Sequence, residues 1–401
     1  MKNNLLSCLA LLGLLLSSCT SDDTADIVIN DNSVINNNNG GGGSTDPQTI
    51  FLSGTFTEDL TLDANNTYKV NGSLIMASGT TLTIPAGVTI EALAAGSDVY
   101  VAISQGAQII ANGTADNPIV FTSDASAPQA GDWGGLILLG SAPINSVTGA
   151  ATATSEIASL PYGGTNATDN SGILRYVRVQ YSGGSADGQS ENNGISFYGV
   201  GSGTIVEYIQ VYEGKDDGVE FFGGTVNVNF VSVVNSQDDS IDWTEGYSGT
   251  ITNAHVKHGA EHDKGIEADG YNTDIGNNSN PIFWSNPTVN NLTIIGNGSG
   301  TGNEAIRLRA GTQGTFNNVE LAGFAEGFDL DGDAGAMSDN PTGTHVLNGD
   351  LTVTDVLFTD ITLQVKNDTG ETFTDAQFLS GIGNGTGTDF ATWGAGWTVG
   401  N

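Results

Sequence analysis

The chain has 401 residues, including 57 glycines and 9 prolines, and its 45 acidic residues against 10 basic ones give a formal net charge of −35. Such a charge repels nucleic acid and anionic membrane surfaces, which excludes both as partners. Glycine is about twice its usual share and supplies the tight turns that a fold of many short strands requires. Because no long stretch shows the 3.6-residue apolar period of a helix, we expect an all-β protein with one elongated domain.

Residues 1–18 have the pattern of a lipoprotein signal peptide. Met1 and Lys2 form a short positive region, and the apolar run from Leu5 to Leu16 is too short to span a bilayer as a helix. Two serines then precede Cys19, and small residues before a cysteine predict cleavage there and acylation of the cysteine. Since the other cysteine lies in the removed part, no disulfide is expected in the mature chain.

The residues after Cys19 predict where the lipoprotein goes. Thr20-Ser21-Asp22-Asp23 resembles the export signal with which Bacteroidetes move lipoproteins to the outer face of the outer membrane. The resemblance implies a lipid-anchored protein that faces the cell exterior. Residues 19–48 carry runs of asparagine and glycine and are typical of a flexible tether, with a reach of about 30 Å. The folded domain is therefore expected over residues 49–401.

One four-residue sequence pattern occurs three times in the middle of the chain. Gly218–Phe221 is followed 22 residues later by Ser240–Trp243 and a further 25 residues later by Gly265–Ala268. Each copy is a short alternating strand that follows charged turn residues. A period of this length, built from four-residue strands and Gly, Asn and Asp turns, predicts a β-solenoid.

Alignment of the repeats gives three columns of residues. The first is Ile195, Val219, Ile241, Ile266, Ile306 and Phe328; the second is Ser196, Glu220, Asp242, Glu267, Arg307 and Asp329; the third is Phe197, Phe221, Trp243, Ala268, Leu308 and Leu330. Because side chains alternate across a strand, the first and third columns share one face and the second lies on the other. We expect the apolar columns in the core and the acidic column outside it.

The flanking segments predict further rungs and several loops. Residues 50–125 carry alternating apolar segments, and residues 50–62 are expected to cover the open N-terminal edge. A long excursion to about residue 170 is expected to pack on the side of the coil, and residues 272–287 and 331–349 are expected to be insertions. Trp393 and Trp397, near the end, are expected to cap the last rung.

Several of these segments resemble a known group of proteins. The Trp133-Gly134-Gly135 strand, Tyr162-Gly163-Gly164, Asp169-Asn170-Ser171-Gly172 and the repeats from Arg175 to Tyr247 are similar to uncharacterised Bacteroidetes cell-surface lipoproteins. These belong to the pectate-lyase-like superfamily. The resemblance covers most of residues 50–400 and implies a right-handed parallel β-helix with loop insertions.

The acidic column poses an electrostatic problem. Neighbouring rungs lie about 4.8 Å apart, so like charges on them repel by about 3–4 kcal/mol at an effective dielectric constant of 20. Either the side chains spread into water as a solvated acidic face, with Lys215 and Lys264 offsetting part of the charge, or they bind Ca²⁺. The calcium hypothesis assigns the ligands to Asp217, Glu220, Asp239, Asp242, Asp263 and Glu267.

An enzymatic alternative comes from a second resemblance. The acidic turns resemble, in order and spacing, those of polygalacturonase-like glycosidases, although the Gly-His-Gly turn of that family is missing and Lys264 stands at the repeat position of its histidine. The resemblance implies a catalytic set of Asp217, Asp238, Asp239, His262 (or His258), Arg307 and Arg309. One aspartate would be the general acid and the others would activate water, as in an inverting hydrolase. A calcium-dependent lyase, with Arg307 or Lys264 as the base, stays open.

Three histidines lie close together in the sequence, at His255, His258 and His262. Their spacings of three and four are helical, but the context is strand and turn, so a helical metal motif fits poorly. We expect solvated turn residues.

A role in binding is the principal functional prediction. A tethered acidic rod presents a long lateral face, which is the usual recognition surface of solenoids. The expected partner is a polysaccharide, a neighbouring cell or an outer-membrane protein such as a TonB-dependent receptor, with Ca²⁺ as the one cofactor considered. Four aromatic residues are candidates to stack on sugars: Tyr181, Tyr198, Tyr212 and Trp284.

Overall fold

A computed structural model describes residues 47–185, 192–273, 282–332 and 341–400. The predicted signal peptide, the acylation of Cys19 and nearly all of the tether fall outside these residues and stay predictions. Among the described residues, no helix is long and apolar enough to cross a membrane.

The described residues form 24 strands and three short helices. The strands are Thr49–Phe56 (β1), Leu60–Thr61 (β2), Thr67–Met76 (β3), Thr81–Ile84 (β4), Thr89–Ala92 (β5), Gly96–Ile103 (β6), Gln108–Asn112 (β7), Ile119–Ser123 (β8), Trp133–Leu139 (β9), Ala153–Thr154 (β10), Pro161–Tyr162 (β11), Gly172–Gln180 (β12), Ile195–Tyr198 (β13), Ile205–Tyr212 (β14), Val219–Phe222 (β15), Asn227–Val234 (β16), Ile241–Thr244 (β17), Thr250–Lys257 (β18), Ile266–Asp269 (β19), Thr288–Ile295 (β20), Glu304–Arg309 (β21), Gly314–Leu330 (β22), Leu351–Asn367 (β23) and Leu379–Ile382 (β24). The helices are Thr342–Asn348 (α1), Asp375–Phe378 (α2) and Phe390–Trp393 (α3).

The chain winds as a right-handed parallel β-helix, as predicted. A continuous sheet joins 22 parallel strands, and β10 and β11 form a separate antiparallel pair. Face A carries β6, β9, β13, β15, β17, β19 and β21. Each of β12, β14, β16, β18 and β20 bends once, so that its first half lies on face B and its second half on face C.

The bend between faces B and C has a simple backbone cause. From β12 onward, one residue at this corner of each coil adopts the left-handed conformation, with φ between 50° and 62°. The stacked corner residues are Tyr176, Tyr208, Phe230, Asn253, Asn291, Asn318 and Asp355. Asparagine and aspartate tolerate this conformation better than most residues, and the side-chain amides bond from coil to coil, as from Asn291 to Asn253 at 3.0 Å.

The three columns predicted on face A are confirmed residue for residue. In the second column, Ser196 pairs with Glu220, Glu220 with Asp242, Asp242 with Glu267 and Glu267 with Arg307. The first and third columns are buried in the core, where rings also stack along the axis, as Phe197 and Phe221 do at 5.2 Å. Each coil from β13 onward therefore carries one outward polar position between two core positions.

The excursion after β9 packs on the outside of face A, as predicted. Its apolar side chains, led by Ile144 and Ile157, form a second hydrophobic cluster with outward residues of the first coils. The outward residues of this cluster are Tyr100, Ala102, Ile137, Leu139, Tyr198 and Phe222. This loop thus covers the N-terminal part of face A.

Both expected end caps are wrong. Residues 50–56 pair with β3 and form the first coil, so they do not cover an edge. Trp397 lies far from the last rung, where its ring contacts Tyr176 edge-on at 5.5 Å and its carbonyl accepts a bond from Arg178 at 2.8 Å. The C-terminal segment runs back along the outside of face C because these earlier coils offer it aromatic rings and polar partners.

Candidate functional site

Two adjacent columns place the acidic residues at one edge of face A. The turn before each strand contributes Asp217, Asp239 and Lys264, which stack on one another because their backbones pair from coil to coil. The aspartates also hold the turns: Asp217 Oδ1 accepts the backbone N–H of Asp239 at 2.9 Å, and Asp239 Oδ1 accepts that of Lys264 at 2.7 Å. The outward column of β15, β17 and β19 contributes Glu220, Asp242 and Glu267 beside them.

These five acidic residues form one carboxylate line, namely Asp217, Glu220, Asp239, Asp242 and Glu267. Their oxygens make two triads within which all ligand atoms lie within 4.8 Å: Asp217–Glu220–Asp242 and Asp239–Asp242–Glu267. Two further triads lie at the turn: Asp216–Asp217–Asp238 and Asp238–Asp239–Asp263. Every residue of the predicted calcium set belongs to at least one triad. Asp216, which the sequence reasoning did not select, joins the set because it shares a turn with Asp217.

The carboxylate line is not a solvated acidic face. Asp217 is 8 % exposed, Asp239 4 % and Asp242 9 %, although all three point away from the apolar core. The side chain of Asp263, in the turn triad beside the line, is by contrast 45 % exposed, so that triad meets solvent. The solvated alternative is therefore wrong: the carboxylates are close together and largely removed from water.

Positive charge is concentrated at one end of the line. Lys264 is buried, and its Nζ lies 2.5 Å from Asp263 Oδ2, 3.2 Å from Glu267 Oε1 and 3.6 Å from Asp239 Oδ1. Arg309 also contacts Glu267, at 2.8 Å. Lys215, which was expected to offset the acidic column, instead contacts Ser185 Oγ at 3.3 Å.

The Asp217–Glu220–Asp242 triad receives neutral donors. The Asn193 side-chain amide donates to Glu220 Oε2 at 2.5 Å, and a backbone amide donates to Asp217. Amide donors carry only partial charges and offset three close carboxylates incompletely. This end of the line has the greatest need for a cation.

The excess of negative charge also changes the pKa values of the carboxyl groups in the carboxylate line. Burial, followed by repulsion between neighbouring carboxylates, raises the pKa of four carboxyl groups well above the ordinary range: Asp217, Glu220, Asp239 and Asp242. Burial also raises the pKa of Asp269, but only to about 6, because Arg309 lies beside it. A bound cation would stabilise the ionised form of the four strongly shifted groups.

The donor set fits a hard divalent cation. All candidate ligands are carboxylate oxygens, which Ca²⁺ prefers, and Ca²⁺ tolerates the irregular geometry that a row of strands provides. No cysteine or histidine belongs to the four triads, so a soft or borderline metal fits less well.

The residues of the glycosidase resemblance are only partly brought together. Asp238 shares one triad with Asp217 and another with Asp239. His262 precedes Asp263, which shares a triad with Asp238 and Asp239, and its Nδ1 lies 3.1 Å from the Asp263 backbone carbonyl. The two arginines lie at the far end of the carboxylate line, where Arg307 pairs with Asp331 and Arg309 with Asp269.

The expectation for the histidines is wrong for two of the three. His255 and His258 are each 5 % exposed, and burial lowers their pKa values to about 4 and about 3. His255 lies flat against Phe390, with ring centroids 3.7 Å apart, beneath the C-terminal segment. Neither histidine is a solvated turn residue, because parts of the chain distant in sequence cover them.

Two cavities flank the carboxylate line. The rim cavity, of about 670 Å³, lies at the corner between faces C and A; Tyr181, Tyr212, Lys215 and Gln237 are among its lining residues. The loop cavity, of about 520 Å³, lies under the excursion after β9. Tyr181 and Tyr212 are half-buried there, whereas Tyr198 is 2 % exposed and stacks on Phe222 at 4.0 Å, which removes it from the sugar-stacking candidates.

The comparisons with known proteins agree with the architecture. A family model described as a pectate-lyase-like β-helix domain matches residues 54–398. The chain belongs to this family. No curated protein and no solved structure matches it significantly. Membership establishes the fold that carries the carboxylate line, and the chemistry of the line has to be argued from its own residues.

Proposed function

We propose that this pectate-lyase-like β-helix is a binding protein that holds Ca²⁺ in its carboxylate line and binds acidic polysaccharide through that ion. The observation that carries the proposal is the Asp217–Glu220–Asp242 triad, whose oxygens lie within 4.8 Å of one another. Three carboxylates at this separation repel strongly in a partly desolvated site. A divalent cation removes the repulsion and leaves coordination positions for a ligand, because Ca²⁺ takes six to eight oxygens.

The rim cavity supplies the contacts that an acidic sugar requires. Lys215 and Gln237 line it and directly precede the acidic pairs of their turns, so the cavity adjoins the outer triads. Tyr181 and Tyr212 form an aromatic wall, with ring centroids 5.9 Å apart. A sugar carboxylate held by Ca²⁺ or paired with the exposed Lys215, next to rings that pack on the sugar, is a consistent mode of recognition.

The basic side chains near the carboxylate line hold their protons firmly, which favours a role in binding over lyase chemistry. A lyase base has to lose its proton near neutral pH, yet the pKa of Lys264 is raised by Asp239, Glu267 and Asp263 against the lowering effect of its burial. Burial also lowers the pKa of Arg307, the other candidate base, but its ion pair with Asp331 outweighs that effect, and the pKa is raised. Both are therefore poor bases.

The spacing of the carboxylates gives no better support to an inverting hydrolase. Asp217 and Asp238 have oxygens within 4.8 Å, as do Asp238 and Asp239. The two carboxyl groups of an inverting enzyme are typically about 6.5–9.5 Å apart, which leaves room for the attacking water. A role in binding requires no such gap.

We further propose that the protein works at the outer surface of the outer membrane, anchored by lipid on Cys19, as an accessory protein for polysaccharide capture. The support is the sequence of residues 1–23. Metabolic labelling with palmitate and protease treatment of intact cells test it. Cys19→Ser should abolish both labelling and surface exposure, and copurification of a TonB-dependent receptor with the wild type would identify its membrane partner. Labelling that persists in the variant would contradict the anchor.

The binding proposal is tested with polygalacturonate and a neutral glucan. The wild type should bind polygalacturonate in millimolar Ca²⁺ and lose it in EDTA, and the neutral polymer should not bind. A double variant, Glu220→Gln with Asp242→Asn, should lose binding. Glu58→Gln with Asp116→Asn, which removes the same two charges at exposed positions, should keep it. Binding that survives EDTA would overturn the role of calcium, and new reducing ends or unsaturated products would show an enzyme instead.

A further inference from the structure

The four carboxylate triads at the edge of face A form two pairs that are related by one coil. The first pair is Asp216–Asp217–Asp238 with Asp217–Glu220–Asp242, and the second pair is Asp238–Asp239–Asp263 with Asp239–Asp242–Glu267. A shift of one coil along the axis converts each triad of the first pair into a triad of the second, because the strand positions pair in register. The two pairs therefore offer similar sets of oxygens to a hard cation.

One residue interrupts this repeat of negative charge. The turn position that Asp217 and Asp239 hold in two successive coils is held by Lys264 in the next coil. The backbone stacks without a break at this position, since the Gly218 N–H bonds to the Asp239 carbonyl at 2.9 Å and the Ser240 N–H to the Lys264 carbonyl at 3.0 Å. The lysine thus enters the stack at the position where a third aspartate would have extended it.

The Lys264 ammonium occupies a cation position within the second pair of triads. Its Nζ lies 2.5 Å from Asp263 Oδ2, 3.2 Å from Glu267 Oε1 and 3.6 Å from Asp239 Oδ1. These three carboxylates come from both triads of the pair, so oxygens of both converge on one point. Because Lys264 is 5 % exposed, the attraction acts largely out of water and is stronger than on the surface. This arrangement of turn and strand carboxylates therefore does collect positive charge.

The first pair of triads has no such ammonium. The residue that corresponds to Lys264 in the preceding coil is Asp239, a further carboxylate. In the part of the chain that the structure describes, no lysine or arginine forms an ion pair with Asp217, Glu220 or Asp242. The first pair therefore still requires a cation, whereas the protein supplies one to the second pair from its own chain.

We propose that Lys264 is a tethered cation that closes the second of two equivalent ion sites, so that the chain takes one divalent ion, in the first pair of triads. The inference rests on the proposed binding of Ca²⁺ and adds the number of ions and the residue that sets it. It also directs the ion to the coil whose acidic turn directly follows Lys215, a lining residue of the rim cavity. The single ion thus lies on the side of the line where the polysaccharide is proposed to bind.

The test counts the calcium ions bound per chain by equilibrium dialysis, which needs no metal-free stage in which a weakened variant might unfold. Lys264→Met should bind one ion more than the wild type, because the freed oxygens of Asp239, Asp263 and Glu267 can hold a second Ca²⁺. Lys264→Gln, whose amide can still donate to these carboxylates, is a second variant without the charge and should show the same gain. Lys264→Arg restores a tethered positive charge and should return the count to that of the wild type.

Lys69→Met is the matched control, since Lys69 also contacts two carboxylates, Glu91 at 3.1 Å and Asp124 at 3.4 Å, away from the triads. It should leave the count unchanged. Equal counts in the wild type and in both charge-free variants of Lys264 would overturn the inference, as would two ions in the wild type. A wild type that binds no calcium would instead contradict the proposed function. Because the first result concerns a difference between proteins and the second an absolute count, the two proposals fail separately.

Discussion

The two halves of one outward column on face A differ sharply although their backbones are continuous. Toward the N-terminus the column reads Ile75, Ala102 and Ile137, and after Ser196 it continues as Glu220, Asp242, Glu267 and Arg307. The inward neighbours are apolar throughout. The coil therefore requires apolar side chains only at its inward positions. The outward position can hold an apolar side chain that packs under a loop or a charged side chain that can bind a ligand.

What covers each half explains the difference. The apolar half lies beneath the excursion after β9, where Ile137 joins Ile144 and Ile157 in the second hydrophobic cluster. Burial there removes apolar surface from water and stabilises the fold. In the acidic half, desolvation works against the ionised side chains, so the stability of that half depends on Lys264, the arginines and, in our proposal, Ca²⁺.

The largest change in the free energy of unfolding is expected when a carboxylate is placed in the apolar half of the column. Ile137→Glu puts an acid among Leu139, Ile144 and Tyr162, inside the apolar cluster under the covering loop. We expect a loss of about 5 kcal/mol in the free energy of unfolding, the upper end for an uncompensated buried charge. Urea denaturation measures it. A loss below about 1 kcal/mol would show that the covering loop does not desolvate the position.

Removal of the buried cation from the acidic half should have the next largest effect. Lys264→Met keeps most of the side-chain volume but leaves Asp239 and Glu267 without their ammonium contact. In EDTA we expect a loss of about 3 kcal/mol. Denaturation in EDTA and in Ca²⁺ is the measurement, and calcium should restore part of the loss. Full stability in EDTA would contradict the electrostatic role of Lys264.

Replacement of one acidic residue by an apolar one should make the acidic half resemble the apolar half, so that it is more stable without metal. Glu220→Leu removes one member of the most poorly compensated triad. Without metal, we expect about 1 kcal/mol of added stability, since apolar replacement of a buried charge is often stabilising. The gain should disappear in Ca²⁺, because only the wild type then gains stability from the ion. A destabilised variant in EDTA would indicate that Glu220 is already well compensated.

The smallest effect is the dependence of stability on pH. Carboxyl groups with raised pKa values bind protons more tightly in the folded state, so their contribution is lost as pH rises from about 4 toward the raised pKa. His255 and His258 act in the opposite sense, because their lowered pKa values remove stability as pH falls below about 6.5. The pH dependence of the wild-type protein's stability therefore contains both the carboxyl and the histidine contributions.

A comparison with Glu220→Gln, Asp242→Asn isolates the carboxyl contribution, since that variant keeps the histidines. In EDTA, the wild type should gain stability relative to the variant between about pH 7.5 and pH 5. Melting curves over this range provide the check. A difference that is flat with pH would show that the line is ionised and compensated without metal.

The sequence predicted the coil and the columns because both follow from local pattern. Alternation within four-residue strands and a regular period place Val219, Ile241 and Ile266 in register without knowledge of any distant contact. The acidic column followed from the same alignment. The pairing of Glu220 with Asp242 and Glu267 could therefore be predicted.

The burial of the line and the course of the C-terminus depend on contacts between segments distant in sequence. Nothing near Trp397 indicates that it meets Tyr176 and Tyr208, more than 180 residues earlier. In the same way, the burial of His255 depends on Phe390. The hydrogen bond from Tyr162 to Glu245 could not be predicted either, since the two residues lie 83 positions apart in the sequence.

The central claim is that the carboxylate line binds Ca²⁺, and calorimetric titration of the metal-free protein tests it most directly. The wild type should show saturable binding, and Ca²⁺ at 100 times its dissociation constant should add about 2.7 kcal/mol to the free energy of unfolding. The Glu220→Gln, Asp242→Asn variant should stay folded and show neither effect. A wild type that takes up no calcium, or a variant that binds it equally well, would contradict the account.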